Sequence, residues 1–116
     1  MNTGVAPEDA DALLGQAFKA TSFRCQLRTL SEIIDEERVE QIDLLKIDVE
    51  KSERDVLDGL RDSDWPRVRQ IAIEVHDVDG RLAALQAELT ARGFDVAVDQ
   101  DPTLAGTNLY DLFGVR

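Results

Sequence analysis

One short segment, residues 42–49, limits the folds open to this chain more than any other. It reads Ile-Asp-Leu-Leu-Lys-Ile-Asp-Val and is apolar at most positions. A short, nearly continuous apolar run is typical of a strand that is covered on both faces of a sheet. Because such strands occur chiefly in parallel sheets with helices packed on them, the segment favours an α/β fold.

Helical and strand patterns alternate along the rest of the chain. Helices are predicted where apolar residues recur every three or four positions, and strands where they alternate. The predicted elements are a helix at 29–38 that begins with a capping box, a strand at 42–49, a helix at about 52–59, a strand at 70–76, a helix at 79–93, and strands at 94–98 and 109–115. Because no helix separates the last two strands, we expect them to pair as an antiparallel β-hairpin. The predicted fold is an α/β sheet with helices on both faces and this hairpin at its C-terminal end.

The length of 116 residues is enough for one compact domain. Gly4, Pro7 and Gly15 interrupt the helical pattern near the start of the chain, so residues 1–21 are interpreted as an N-terminal arm or short helix. Residues 22–116 are expected to form the α/β domain.

Charge excludes several classes of partner. The formal net charge is −11, which disfavours binding to nucleic acid or to an anionic membrane. A single cysteine, Cys25, excludes an internal disulfide framework and a cysteine-rich zinc site. No apolar run reaches the roughly 20 residues of a membrane-spanning helix, and the N-terminus does not resemble a signal peptide. We therefore expect a soluble, cytoplasmic domain.

Ionisable residues follow the two best-defined strands. Asp48 and Glu50 come at the end of the first strand, and Glu74 and His76 at the end of the next. Ligands of open α/β sheets bind outside the carboxyl ends of the strands, so these four residues are expected to converge on one rim. There they could bind a cation, orient a substrate hydroxyl or accept a proton, or they could be only solvated strand ends and helix caps. No metal ligand is assigned, because the spacing matches no tight metal motif.

Two further observations qualify this site. Lys46 lies within an apolar strand, and burying its ammonium group would be costly, so its side chain is expected to reach the rim or a carboxylate. His76 is the chain's single histidine, and such a residue can equally be structural. The glycine-rich turn that cradles a nucleotide cofactor after an early strand is missing from this sequence.

Several ordered motifs resemble one family. They are Leu27–Ile34, Ile42–Glu50, Trp65–Pro66, Glu74–Asp77, Gly80–Leu82 and Gly106–Tyr110. Together they resemble the C-terminal half of an FkbM-type S-adenosylmethionine-dependent methyltransferase, and they are similar to versions embedded in polyketide synthases and nonribosomal peptide synthetases. The family usually has Glu-Gly where this chain has Glu50-Lys51.

The resemblance implies a partial class I, Rossmann-like methyltransferase sheet. Its fourth to seventh strands would be present here, the last inserted antiparallel between its two predecessors. Asp48 and Glu50 would face the transferred methyl group and the acceptor, with Asp48 the preferred base and His76 the second. Asp48 and Lys46 are the candidate contacts to S-adenosylmethionine.

The function that follows is methyl transfer in secondary metabolism. The chain would supply the acceptor-side half of the domain, act on a small molecule or a carrier-bound assembly-line intermediate, and be completed by an N-terminal half-domain or a synthase. The alternative is a non-catalytic remnant or interaction module that docks on such a partner. An uncovered sheet edge also allows a homodimer. A phosphoacceptor receiver domain would suit the length, but its paired acids near the first strand are missing.

Overall fold

The computed structural model describes residues 20–116, so nearly all of the predicted arm at 1–21 lies outside the described residues. The described part has three α-helices and four strands. In chain order they are α1 (Leu30–Glu37), β1 (Leu45–Ile47), α2 (Glu53–Asp58), β2 (Gln70–His76), α3 (Arg81–Ala91), β3 (Asp95–Asp99) and β4 (Leu109–Val115), with short 3₁₀ turns at Trp65–Arg67 and Pro102–Leu104. Within these residues no helix combines the length and the apolar character that crossing a membrane requires.

The strands form one mixed sheet in the order β1-β2-β4-β3. β1 and β2 are parallel, and β4 runs antiparallel to both β2 and β3. The predicted antiparallel pairing of the last two strands is thereby confirmed, with β4 lying between β2 and β3 in space. In this register Glu74 lies opposite Asp111, and His76 lies opposite Leu109.

The core lies on one face of the sheet. The register places Ile47, Ile73 and Leu112 in a row on that face, and all three are buried. Side chains from all three described helices join the same buried cluster: Ile34, Leu57, Leu85 and Leu89. The described helices therefore pack on a single face.

The expectation of helices on both faces does not hold within residues 20–116. The connections from β1 to β2 and from β2 to β3 both cross the sheet in the same direction. Because such crossovers are right-handed, the two helices they contain must lie on the same side. The opposite face, called the open face below, carries Lys46, Ala72, Glu74, Asp111 and Phe113, and Phe113 is 42% exposed.

The apolar run at 42–49 forms a shorter strand than predicted. Ile42 makes only an isolated bridge with Val68, and regular pairing begins at Leu45. Ile47 is buried, whereas Leu44 is 56% exposed. In the described part of the chain this strand is thus covered on one face, not on two.

Local signals set the helix boundaries. The hydroxyl of Thr29 accepts a hydrogen bond from the backbone N–H of Glu32 at 3.1 Å, which confirms the Thr29 half of the predicted capping box. Ser52 occupies the N-cap position of α2 without a side-chain hydrogen bond to the helix. Gly93 follows α3 with a φ of 93°, the left-handed conformation that its sequence position predicts.

Candidate active site at the carboxyl ends of two parallel strands

A cleft lies on the open face where β1 and β2 end. Because the two strands are parallel, their carboxyl ends meet at the same edge of the sheet. The cleft has a volume of about 260 Å³. It is lined by Lys46, Ile47, Asp48, Ala72, Ile73, Glu74, Asp111 and Phe113. Of the residues predicted from the sequence, Lys46, Asp48 and Glu74 are brought together here.

Three carboxyl groups meet in this cleft, and we call Asp48, Glu74 and Asp111 the acidic cluster. Glu74 shares a side-chain hydrogen bond with Asp48, which raises the pKa of Glu74. Burial and the negative charges of Asp48 and Asp111 raise this pKa further. A raised pKa means that Glu74 holds a proton more readily than an ordinary glutamate. Glu74 is therefore suited to binding a proton beside Asp48.

Lys46 is the cationic residue of the cleft. Its side chain is exposed on the open face, in agreement with the expectation that it reaches the rim. It makes no ion pair with any residue between 20 and 116, so its ammonium group is available to a ligand anion.

Glu50 does not join the acidic cluster. It is exposed in the loop after β1 and does not line the cleft. Its φ of 37° and the φ of 71° at Lys51 both lie in the left-handed region, which favours glycine. The loop therefore turns sharply at Glu50 and Lys51.

His76 does not line the cleft either, and its ring is held by a residue that the sequence did not single out. Its Nδ1 lies 2.8 Å from Oε1 of Glu53, the first residue of α2. The Glu53 side chain is fully buried, and it also accepts hydrogen bonds from the backbone N–H of His76 at 2.9 Å and from the guanidinium of Arg81 at 2.9 Å. We call Glu53, His76 and Arg81 the buried triad, although only the Glu53 side chain is fully buried and the other two are half-buried.

The carboxyl group of Glu53 is ionised despite its burial. Burial raises its pKa, but the hydrogen bonds from His76 and Arg81, together with a backbone hydrogen bond, outweigh this effect. The pKa of Glu53 consequently lies below its usual value.

The remaining acidic residue of the second strand end has a structural role. The carboxylate of Asp77 accepts a hydrogen bond from the backbone N–H of Leu82 at 3.1 Å, in the first turn of α3. This is a helix-capping role that the sequence analysis did not assign to Asp77. Among residues 20–116, no group of three or more histidine, cysteine, aspartate or glutamate side chains is arranged to hold a metal ion.

Sequence reasoning assigned no site role to Asp111, Glu53 or Arg81, and Arg81 entered only as part of the Gly80–Leu82 motif. A sequence pattern could have identified Asp111, since it is a charged residue in the middle of the apolar strand pattern at 109–115. No pattern could have identified Glu53, because an acidic residue in the first turn of a helix is ordinary.

A larger cavity of about 380 Å³ lies near the amino end of β2. It is lined by Glu40, Gln41, Ser63, Pro66, Arg67 and Arg69. None of the predicted site residues reaches it, so its size does not make it the better candidate.

Comparison with known proteins connects the chain to methyltransferases. Residues 3–96 match the family described as "Methyltransferase FkbM domain". The chain is 46% identical over its full length to the 31-O-demethyl-FK506 methyltransferase FkbM of Streptomyces tacrolimicus, of which it covers 45%. It is 44% identical, over 94% of its length, to the AMB antimetabolite synthetase AmbE of Pseudomonas aeruginosa, of which it covers 5%.

A more distant relative is Methyltransferase sdnD of Sordaria araneosa. It is 34% identical over 80% of this chain, which covers 38% of that protein. The chain thus spans less than half the length of each of these three relatives. No solved structure matches it.

Proposed function

Because the chain belongs to the FkbM methyltransferase family, we propose that it forms the acceptor-side half of an S-adenosylmethionine-dependent methyltransferase domain. This membership confirms the resemblance noted in the sequence. The chain spans 45% of the Streptomyces relative, so the proposal includes a second half that completes the domain. The strand order, with an antiparallel strand between β2 and β3, supports a class I, Rossmann-like sheet.

The observation that carries the proposal is the meeting of Asp48, Glu74 and Asp111 in one cleft, where the neighbouring carboxyl groups raise the pKa of Glu74. Methyl transfer to a hydroxyl group needs an oriented acceptor and a base that takes up its proton. Asp48 is the proposed base, and Glu74 shares the proton that Asp48 receives. His76 is the second proposed base. Glu50 would contact an acceptor only outside the cleft, from the exposed loop.

The charges of the cleft fit S-adenosylmethionine. When bound, this cofactor supplies an electrophilic methyl group on a positively charged sulfur. The acidic cluster has the sign that stabilises such a cation, and Lys46 has the sign that pairs with the cofactor's carboxylate. Asp48 and Lys46 are therefore the proposed cofactor contacts. The missing glycine-rich turn would come from the completing half.

The free edge of β1 is the proposed contact with that half. In the described part of the chain β1 pairs with β2 alone, so its other edge has unpaired backbone groups. Leu44 is 56% exposed and Val49 is 40% exposed beside this edge. A parallel strand from the completing half would pair with the edge and cover these side chains. The same edge could instead form a homodimer.

The names of the relatives suggest the class of acceptor. One is a methyltransferase of 31-O-demethyl-FK506, and another is an antimetabolite synthetase. We propose that this chain acts on a hydroxyl group of a small molecule or of a carrier-bound assembly-line intermediate in secondary metabolism.

The test is a chimera in which this chain replaces the aligned segment of the Streptomyces methyltransferase. Transfer of a labelled methyl group to 31-O-demethyl-FK506 is then measured. We expect activity, and we expect Asp48→Ala to lower kcat by about 10²- to 10⁴-fold. The matched control is Asp43→Ala, which removes an exposed carboxylate that binds Gln41 and does not line the cleft. Equal turnover of the two variants would remove Asp48 from the mechanism.

A second experiment addresses the non-catalytic alternative, an interaction module that uses the free β1 edge. S-adenosylmethionine and its demethylated product are titrated calorimetrically into the chimera and into the chain alone. Saturable binding to the chimera supports the proposal. A chimera that shows cooperative thermal unfolding but neither binds the cofactor nor transfers methyl groups would contradict it and favour the interaction module.

A further inference from the structure

Glu53 is a buried titratable residue that the proposed methyl transfer does not use. Its side chain is fully buried beside an apolar core, where an ionised carboxylate is costly unless it is paired. The two carboxylate oxygens bind different partners. Oε1 accepts a hydrogen bond from the backbone N–H of His76 and also contacts the His76 ring, whereas Oε2 accepts a hydrogen bond from the guanidinium of Arg81. Glu53 thus joins the starts of α2 and α3 to the end of β2.

The surroundings of His76 decide which ring nitrogen carries the proton. Nδ1 lies 2.8 Å from Oε1 of Glu53, and the backbone N–H of Lys51 points at the same nitrogen from 3.3 Å. A protonated Nδ1 donates to the carboxylate, whereas a bare Nδ1 would accept from Lys51 and turn its lone pair toward the negative oxygen. The shorter distance and the ionised carboxylate assign the proton to Nδ1.

This assignment leaves Nε2 of the neutral ring without a proton. Within residues 20–116 Nε2 has no hydrogen-bond partner, yet it is not among the buried unpaired polar atoms of that region, which comprise Trp65 Nε1 alone. Nε2 is therefore reachable from solvent. The positive charge of a protonated His76 lowers the pKa of Glu74, so the ring lies within electrostatic reach of the acidic cluster.

The loop between β1 and α2 is fixed by the same residues. Lys51 adopts a left-handed φ of 71°, which is unfavourable for a residue other than glycine. Its carbonyl accepts a hydrogen bond from the guanidinium of Arg81 at 2.6 Å. Arg81 therefore holds both the strained loop and Glu53 against His76.

We propose that Glu53 is a positioning residue that keeps His76 in its Nδ1–H form, with Nε2 presented as a neutral proton acceptor at the carboxyl end of β2, two residues after Glu74. Arg81 holds Glu53 in place for this purpose. The inference rests on the proposed function in one respect, which is that a substrate supplies the proton that Nε2 accepts. It makes His76 a second base beside the acidic cluster.

The test is nitrogen-15 NMR of the chain at a pH where the imidazole is neutral. His76 is the chain's single histidine, so its two ring nitrogens are identified without ambiguity. An unconstrained imidazole in water prefers the proton on Nε2, so the proposal predicts the opposite of the default. We expect a protonated Nδ1 and a bare Nε2. A protonated Nε2 in the unmodified chain would overturn the proposal, whether or not any variant folds.

Two variants separate positioning from a general effect on the fold. Glu53→Gln is close in shape but can donate to Nδ1 as well as accept from it, so we expect the preference for the Nδ1–H form to be lost. The matched control is Glu50→Gln in the neighbouring loop, where we expect no change because Glu50 makes no hydrogen bond to His76. An unchanged tautomer in Glu53→Gln would overturn the proposal.

The Glu53→Gln variant of the chimera distinguishes this inference from the proposed function. We expect Glu53→Gln to lower kcat by about 10²-fold with little change in the KM for S-adenosylmethionine. An Nδ1–H ring in an inactive chimera would contradict the proposed function and support the positioning role. An Nε2–H ring in an active chimera would contradict the positioning role and support the proposed function.

Discussion

Glu53 and Glu74 lie near the carboxyl ends of the same two strands and respond to the fold in opposite directions. Burial raises the pKa of both. Glu53 is surrounded by donors from His76 and Arg81, and its pKa falls below the usual value. Glu74 faces the carboxylates of Asp48 and Asp111, and its pKa rises. The comparison shows that the neighbours of a carboxyl group, and not its burial alone, decide whether it supports the structure or binds a proton.

The two carboxyl groups also have opposite effects on stability as pH changes. Because the pKa of Glu53 is lower in the folded chain, its stabilisation is present above the unfolded value near 4.5 and is lost as the pH falls through the folded pKa. Because the pKa of Glu74 is higher in the folded chain, its contribution is favourable below the unfolded value and is lost as the pH rises through the folded pKa.

The largest expected effect comes from removing the carboxylate of the buried triad. Glu53→Ala leaves the guanidinium of Arg81 and the backbone N–H of His76 without their buried partner. We expect a loss of about 3 kcal/mol in the free energy of unfolding at pH 7. Urea denaturation measures it, with Glu50→Ala as the exposed control. A loss no larger than that of the control would show that the triad does not stabilise the fold.

A smaller change, an increase in the free energy of unfolding, is expected in the acidic cluster. Glu74→Gln removes a like charge from the neighbourhood of Asp48 and Asp111, so we expect the variant to be more stable than the unmodified chain at pH 7, by up to about 1 kcal/mol. The gain should shrink as the pH falls toward 4, because Glu74 is then protonated in both states. Thermal unfolding at several pH values checks both statements. A variant that is less stable at pH 7 would contradict the account of the cluster.

The smallest expected effect separates the two neighbours of Glu74. Asp48 both shares a hydrogen bond with Glu74 and repels it, whereas Asp111 acts through its charge alone. Asp111→Asn should therefore lower the pKa of Glu74 by less than Asp48→Asn does. Carbon-13 NMR of the Glu74 carboxyl group in the two variants measures the difference. Equal shifts would show that the hydrogen bond with Asp48 adds nothing to its charge.

The sequence predicted the elements that have a clear periodicity. The bounds of β2 and β4 agree with the predicted 70–76 and 109–115. Apolar and polar side chains alternate in β2 as the two faces of the sheet require, whereas β4 is an apolar run interrupted by Asp111. The apolar run at 42–49 misled the prediction. Its composition suits a strand covered on two faces, but in the described part Leu44 remains 56% exposed and regular pairing is limited to Leu45–Ile47.

The candidate site was predictable in part for a related reason. Parallel pairing of two strands brings their ends together, so Asp48 and Glu74 could be placed at one rim from the sequence. Asp111 depends on which strand lies beside β2, and the contact between Glu53 and His76 joins residues 23 positions apart. Such contacts are set by packing of a helix against a strand end, and no local pattern encodes them.

The central claim is that the two strand ends hold one carboxyl group that binds a proton readily and one that stays ionised as a support. Carbon-13 NMR titration of the side-chain carboxyl groups of the unmodified chain tests it most directly. The account predicts that Glu53 titrates below the ordinary range of a glutamate and that Glu74 titrates above it. Ordinary titration of both groups, or the reverse order, would contradict the account.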